Sequence, residues 1–225
     1  MVGWPDGGAE DGSTVSLGAD SGQAEPTADA RERIVSTAYD LFARHGLRAI
    51  GVDRIIAEAG VAKTTLYRHF RSKDDLVLAV LQRRQELWLG GWLLPAIEAR
   101  GNTPDAQLLA MFDAFDEWFR REDYEGCLFA NSLIESHDRM SPVGAESVTR
   151  LAHIRAVIRS LAEQAGVRDA HTFAHQWHIL LLGSIVQAAE GHAEAAHQAR
   201  AVAELLIAHE KLGATDSVSQ AQARP

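Results

Sequence analysis

Apolar side chains recur along this chain at helical spacing. Ile34, Ala38, Leu41, Phe42 and His45 stand at i, i+4, i+7, i+8 and i+11, one face of a helix. Asp29 precedes them as an N-cap, with Glu32 three residues on in a capping-box pattern, and Gly46 supplies the stop. Val52, Ile55, Ile56 and Ala59 mark a short second helix with Gly51 as its N-cap; Gly60 breaks it. A third, from Lys63 to Phe70, sets Leu66 and Phe70 one turn apart toward a core and leaves Lys63, Thr64, Tyr67 and Arg68 outward. Ser72 then caps a long helix that opens Lys73-Asp74-Asp75 and continues past Trp88. Loops are expected at Gly101-Asn102-Thr103-Pro104 and at Ser141-Pro142. No alternating run reads as a strand, and no repeat of solenoid period occurs, so the expected fold is all-α.

Composition narrows the class. At 225 residues the chain has room for one domain or two small ones. Residues 1–28 are dominated by Gly, Ser, Ala, Asp and Glu, with Trp4 as the one large apolar anchor, and are expected to be disordered; the stretch 215–225 has the same character. One cysteine, Cys127, excludes an intramolecular disulfide and a zinc site built from several thiolates. No apolar run approaches the roughly 18 residues of a membrane span, and residues 1–28 lack the basic start of a secretory signal. The expectation is a soluble, cytoplasmic protein with no membrane partner. Net charge is -9, yet residues 29–75 carry nine Lys/Arg against seven acids, a mildly basic segment inside an acidic chain.

Short helix, glycine turn, short helix is the geometry of a helix-turn-helix, whose second helix fits a major groove and meets base edges with its N-terminal residues. Lys63, Thr64 and Thr65 stand at that end. Thr65 offers a methyl and a hydroxyl for a thymine or a phosphate. Tyr67, His69 and Lys73 offer polar tips to phosphate oxygens, and the amides that follow Ser72 add an anion site. Arg48 and Arg68 complete the expected DNA-contacting set. A glycine between amphipathic helices is also how ordinary helical hairpins turn, so the basic residues are what favours DNA.

The run from Ala30 to Leu81 resembles the DNA-binding domain of the TetR family of bacterial transcription regulators. The likeness rests on Ile34, Ala38, Leu41, Phe42, Gly46, Ile55, Ala57, Ala59, Gly60, Val61, Leu66, Tyr67, His69, Phe70, Lys73 and Leu76, and most specifically on the segment Thr65-Leu66-Tyr67-Arg68-His69-Phe70-Arg71-Ser72-Lys73. One departure is Ile50-Gly51, where the family usually places Thr or Ser, which weakens a phosphate contact at the start of the second helix. The resemblance implies a three-helix DNA-binding head (29–75) and a larger helical domain (76–214) that binds a small-molecule effector and forms a homodimer. It also implies a repressor that leaves its palindromic operator when ligand binds.

Within the second part, Trp177–Ala189 and Ala195–Leu206 are rich in Ala, Gly, Leu and Ile on more than one face, as helices of a dimer interface would be. Phe112, Phe115, Trp118 and Phe119 share one helix, and Asn131 and Glu135 follow the Gly126 break. Gly126-Cys127-Leu128-Phe129-Ala130-Asn131 resembles a segment that, in one branch of TetR-like regulators, begins a helix lining the effector pocket. Phe115, Trp118, Phe119, Asn131, Glu135, Trp177 and His178 are therefore the expected effector contacts, against the plainer reading of the aromatics as core.

Two further chemistries find little support. His171, His175 and His178 share a helix face, but no carboxylate stands at a supporting spacing, so no metal site is expected. Cys127 has no resolving thiol and no flanking cation in sequence, which argues against a redox sensor. No nucleophile–base pair, phosphate-cradling glycine loop or paired carboxylate has convincing spacing; neither an enzyme nor a cofactor is expected. A helical adaptor that binds protein is the remaining alternative.

Overall fold

The computed structural model describes the backbone of residues 25–222 and the side chains of residues 29–210. Within them every regular element is helical: α1 (Glu25–His45), α2 (Val52–Ala59), α3 (Lys63–His69), α4 (Lys73–Gln85), a π-helical segment (Glu86–Leu93), α5 (Leu94–Arg100), α6 (Pro104–Phe119), α7 (Leu128–Ser136), α8 (Pro142–Gln164), α9 (Ala170–Ala189) and α10 (Ala195–Gln222). The chain divides into two compact units, and the boundary falls between Leu76 and Val77, inside α4.

Both ends of the described chain depart from expectation. Helix α1 starts at Glu25, four residues ahead of the expected cap, and Asp29 sits inside it in an i, i+4 pair with Arg33. The rest of the expected disordered tail, residues 1–24, lies outside the described residues. At the other end α10 continues through Thr215 to Gln222. Extending a helix that tertiary packing has already nucleated fixes one residue per added hydrogen bond, so Ala- and Gln-containing flanks follow the helix they adjoin.

In the first unit α1 buries Ile34, Ala38, Leu41 and Phe42, while His45, expected on that face, is exposed because the helix ends at its turn. Ile55 and Ala59 of α2, Leu66 of α3 and Phe70 close the same core. In the second unit α6 packs against α5, α8, α9 and α10, and buries Leu108, Met111, Phe112, Phe115 and Trp118.

The backbone from Lys73 to Arg100 stays helical but widens over Glu86–Leu93, where Leu94 N–H reaches the carbonyl of Leu89, five residues back. Pro95 explains the widening. It has no N–H for the Gly91 carbonyl, and its ring would strike that carbonyl in a regular α-helix. A π turn relieves the clash, and with it Trp88 is buried beside half-buried Trp92, ring centroids 5.6 Å apart.

Candidate nucleic-acid interface

The turn between α2 and α3 is built by Gly60. Its φ of 64° and ψ of 38° are left-handed, a region that suits glycine. The Val61 N–H closes back on the Ile56 carbonyl at 3.3 Å, the six-residue bond of a Schellman motif. That turn sets seven-residue α3 across the end of α2. Leu66 is buried at 1% exposure, whereas Tyr67 is 46% exposed and Lys63, Thr64 and Arg68 are exposed. Thr65 is half-buried. The outward face thus carries a cation, hydroxyls, a phenol and a guanidinium on one short helix, groups suited to base edges and phosphates.

Neighbouring charges temper this surface. Lys63 Nζ lies 3.2 Å from the Asp53 carboxylate, but both side chains are well exposed, so the pair is weak and exchanges readily for a phosphate. Arg48 is exposed in the loop that precedes α2. Gly51 caps α2 in extended conformation with no side-chain hydrogen bond, the local consequence of lacking Ser or Thr there.

Two residues expected to meet phosphate are half-buried and make contacts within the protein. Lys73 is half-buried; its ammonium donates to the Leu47 carbonyl and stands 5.7 Å from the centre of the Phe42 ring. It ties the start of α4 to the end of α1 because that carbonyl, just past the α1 terminus, needs a donor. His69 is half-buried, with Nε2 enclosed and without a hydrogen-bond partner. The start of α4 is closed as well: Asp75 N–H bonds the Ser72 hydroxyl at 3.0 Å, and the Asp75 carboxylate accepts the Arg71 N–H at 3.0 Å. Of the amides expected to bind an anion, that of Asp75 is thus taken up by the Ser72 cap.

The expected effector contacts fall into separate environments. Phe115, Trp118 and half-buried Phe119 join Trp88, Trp92 and Tyr124 in one ring cluster, with centroids 5.0–6.5 Å apart in mostly edge-on or tilted pairs. Arg84, 4% exposed, lies 6.0 Å from the Trp88 ring centre and 5.8 Å from that of Trp118. Tyr124 donates its hydroxyl to the Ile185 carbonyl at 2.5 Å, and burial pushes its pKa up. Trp177 belongs to a second group, packed on Phe112 at 5.3 Å and Phe173 at 5.2 Å. His178 faces Arg155 across 3.4 Å, and Asn131 is exposed while Glu135 is half-buried on α7. Trp88, Trp92, Arg84 and Tyr124 escaped sequence reasoning, although Arg84, Trp88 and Trp92 stand four residues apart.

Cys127 caps α7, its sulfur accepting the Ala130 N–H at 3.5 Å. Burial raises the thiol pKa, against the opposing pull of that amide and of Arg84. Among the described residues no group of three or more His, Cys, Asp or Glu is placed to hold a metal, and no helix is long and apolar enough to cross a membrane.

Comparison with known proteins places this architecture. Residues 34–80 match the model of bacterial regulatory proteins, tetR family. The HTH-type transcriptional activator FasR of Mycolicibacterium smegmatis is 39% identical over 117 residues, 50% of this chain and 51% of that protein. An HTH-type transcriptional regulator of Staphylococcus aureus is 41% identical over 59 residues, 26% of this chain and 32% of its own. The matched stretch thus spans about half the length of the mycobacterial relative and about a third of the staphylococcal one. A TetR-family transcriptional regulator from Streptomyces coelicolor is similar over 81% of this chain and 96% of its own, with a TM-score of 0.74 and 27% identity. A TetR transcriptional regulator from Chloroflexus aurantiacus shares the fold, with a TM-score of 0.71 over 82% and 96% of the two chains at 24% identity. Helix-turn-helix, family model and whole-chain fold agree: residues 34–80 match the tetR-family model, and the chain as a whole is similar in fold to TetR-family transcriptional regulators.

Proposed function

We propose that the protein is a ligand-responsive, DNA-binding transcription regulator working as a homodimer, a repressor that leaves a palindromic operator when a small molecule binds. In this reading residues 29–75 grip DNA, and residues 76–214 bind the effector and dimerise. The observation that carries it is α3: Leu66 and Phe70 point into the core while Lys63, Thr64, Tyr67 and Arg68 stay outside on a helix short enough to enter a major groove. Thr65 and Arg48 join them as contacts. His69 reaches DNA only through its other ring nitrogen, and Lys73 serves by holding α4 against α1.

Dimerisation is supported by apolar side chains left uncovered on the last two helices. Ile179 and Val186, two turns apart on α9, are 68% and 57% exposed; Val202 and Leu205 on α10 are 50% and 71% exposed. Paired α9 and α10 helices from two chains would bury them in a four-helix bundle. Two α3 helices would then read half-sites separated by one helical turn, about 34 Å, or a multiple of it.

The effector in this reading enters the ring cluster of Phe115, Trp118 and Phe119, which fits an apolar, planar body. The enclosed Trp88 Nε1–H, without a hydrogen-bond partner, is a donor for an acceptor on that body. Trp177 and His178, buried on α9, and Asn131 and Glu135 on α7 are the remaining contacts in this reading. Ligand shifts the population of dimers toward one in which the two α3 helices no longer match successive grooves, by as much as its affinities for the two states differ. The mycobacterial relative is named an activator; the activating version differs only in sign, ligand favouring the DNA-bound dimer. Fluorescence anisotropy with duplex DNA flanking the protein's own gene tests the whole reading. Tight binding there, absent with scrambled duplex and weakening as salt rises, is expected. Equal binding to both duplexes refutes it.

A further inference from the structure

Helices α8 and α9 flank a half-open groove of about 220 Å³ whose lining has an uncommon composition for an acidic chain. Arg155 and Arg159 enter from α8, His171 and His175 from α9, and three alanines complete the wall. No carboxylate is among the lining residues. Like charges one turn apart on a helix repel weakly, so an anion between Arg155 and Arg159 would be attracted by both.

The nearby carboxylates leave both guanidiniums open to a ligand. Glu163 approaches Arg159 at 3.5 Å, but both side chains are more than half exposed, so water screens the pair. Asp169 lies at the start of α9 and accepts the Thr172 N–H, which holds its carboxyl below the usual range. On the other side Arg155 Nη1 lies 3.4 Å from His178 Nδ1. Burial first, then Arg155 and His175, push His178 down to about 4. His178 is therefore a neutral acceptor at pH 7 and steadies the guanidinium without discharging it. A guanidinium has five N–H donors, and one such bond leaves most of them for a ligand. The rings of His171 and His175 stand 4.9 Å apart and add two more nitrogen donors or acceptors.

From this geometry we infer that the α8–α9 groove binds a small anion, its phosphate or carboxylate groups held by Arg155 and Arg159 and its body resting on the alanines. The groove is smaller than the roughly 300–1,000 Å³ of drug-sized pockets and open on one side, so it suits a compact anionic group whose remainder stays in solvent. Guanidiniums paired from one helix favour planar or tetrahedral oxyanions over chloride. The site lies apart from the ring cluster of the proposed effector, with His178 alone common to the two, and does not depend on DNA binding.

Isothermal titration of the full chain with inorganic phosphate, pyrophosphate and citrate, in chloride buffer of fixed ionic strength and without DNA, tests this. Saturable binding of at least one, at one site per chain, is expected; the phosphates and citrate separate phosphoryl from carboxylate chemistry. The double variant Arg159→Gln/His175→Gln changes residues on exposed positions and should keep the parent circular dichroism while weakening binding about tenfold or more. Arg168→Gln, an exposed arginine outside the groove lining, should bind as the parent does. The inference is overturned by no saturable binding of any of the three up to roughly 10 mM, or by equal weakening in Arg168→Gln and the double variant.

Discussion

The glycines at either end of α2 make a paired test of the helix-turn-helix backbone. A Cβ added at Gly60 meets no atom within 4 Å, and the same is true at Gly51. Crowding is therefore removed from both substitutions, and backbone conformation decides. At Gly60 (φ 64°, ψ 38°) an alanine enters the left-handed region, which costs about 1–2 kcal/mol. Restricting the unfolded chain returns about 0.4–1 kcal/mol, so Gly60→Ala should destabilise the turn by about 1 kcal/mol. At Gly51 (φ -85°, ψ 157°) any residue is comfortable. A serine there gains the same unfolded-state term and a hydroxyl cap for the first turn of α2, so Gly51→Ser should stabilise by about 0.5–1 kcal/mol. Hydrogen exchange read on peptides from residues 52–70 isolates this region from the second unit. Amides of α2 and α3 should exchange about fivefold faster in Gly60→Ala and a few-fold slower in Gly51→Ser. Equal protection in Gly60→Ala and the parent would show that the turn is not left-handed in solution, and the placement of α3 would lose its basis.

Lys63→Ala and Arg68→Ala should each flatten the dependence of log affinity on log salt by about 0.9 for every phosphate that is no longer neutralised, measured by anisotropy across a salt series; an unchanged slope removes that residue from the interface. Lys73→Ala should instead lower the stability of the first unit by about 1 kcal/mol, because the Leu47 carbonyl loses its donor, visible as faster exchange at the α1 terminus. Ile179→Asp together with Leu205→Asp, both at exposed positions, should convert dimer to monomer in sedimentation velocity while leaving helicity unchanged; a persistent dimer refutes the α9–α10 interface. His178 is depressed from 6.5 to about 4, so the unfolded chain takes up a proton below pH 6.5 that the folded chain resists. Its stabilising contribution is complete above pH 6.5 and falls by about 3 kcal/mol on descending to pH 4; denaturant melts of His178→Gln should show a pH dependence smaller by that amount.

Legibility in the sequence followed the range of the interaction concerned. Helix α2 ran over the residues its apolar spacing marked, and Gly60 and Ser72 worked as turn and cap, because each depends on atoms within a few residues. The burial of Leu66 and Phe70 and the exposure of Tyr67 followed from the helical period. The π-helical segment did not, since a period count assumes 3.6 residues per turn and Pro95 acts by deleting one bond in a helix that otherwise continues. The tie from Lys73 to Leu47 was not legible, because nothing local reveals a carbonyl 26 residues upstream. Arg84, Trp88, Trp92 and Tyr124 joined the ring cluster through packing against α6, contacts that no single-helix pattern encodes.

What makes α3 a rigid reader is held outside α3 itself. Seven residues are too few for a stable isolated helix, and Leu66 is its one fully buried side chain. The helix therefore keeps its place only if both flanks are fixed. On one side the Gly60 turn and the Val61–Ile56 bond determine where it begins. On the other, Phe70 is buried at 3% exposure with Arg31 of α1 5.5 Å from its ring centre, and Lys73 fastens the next helix to Leu47. Residues in the recognised motif thus divide by task. Tyr67 and Arg68 face outward, whereas Phe70 and Lys73 keep the helix at a fixed angle. Substituting the second pair should weaken binding together with a loss of stability in the first unit, while substituting the first should weaken it at unchanged stability; preference among duplexes should change only with Thr64 or Thr65, at the helix end that meets base edges.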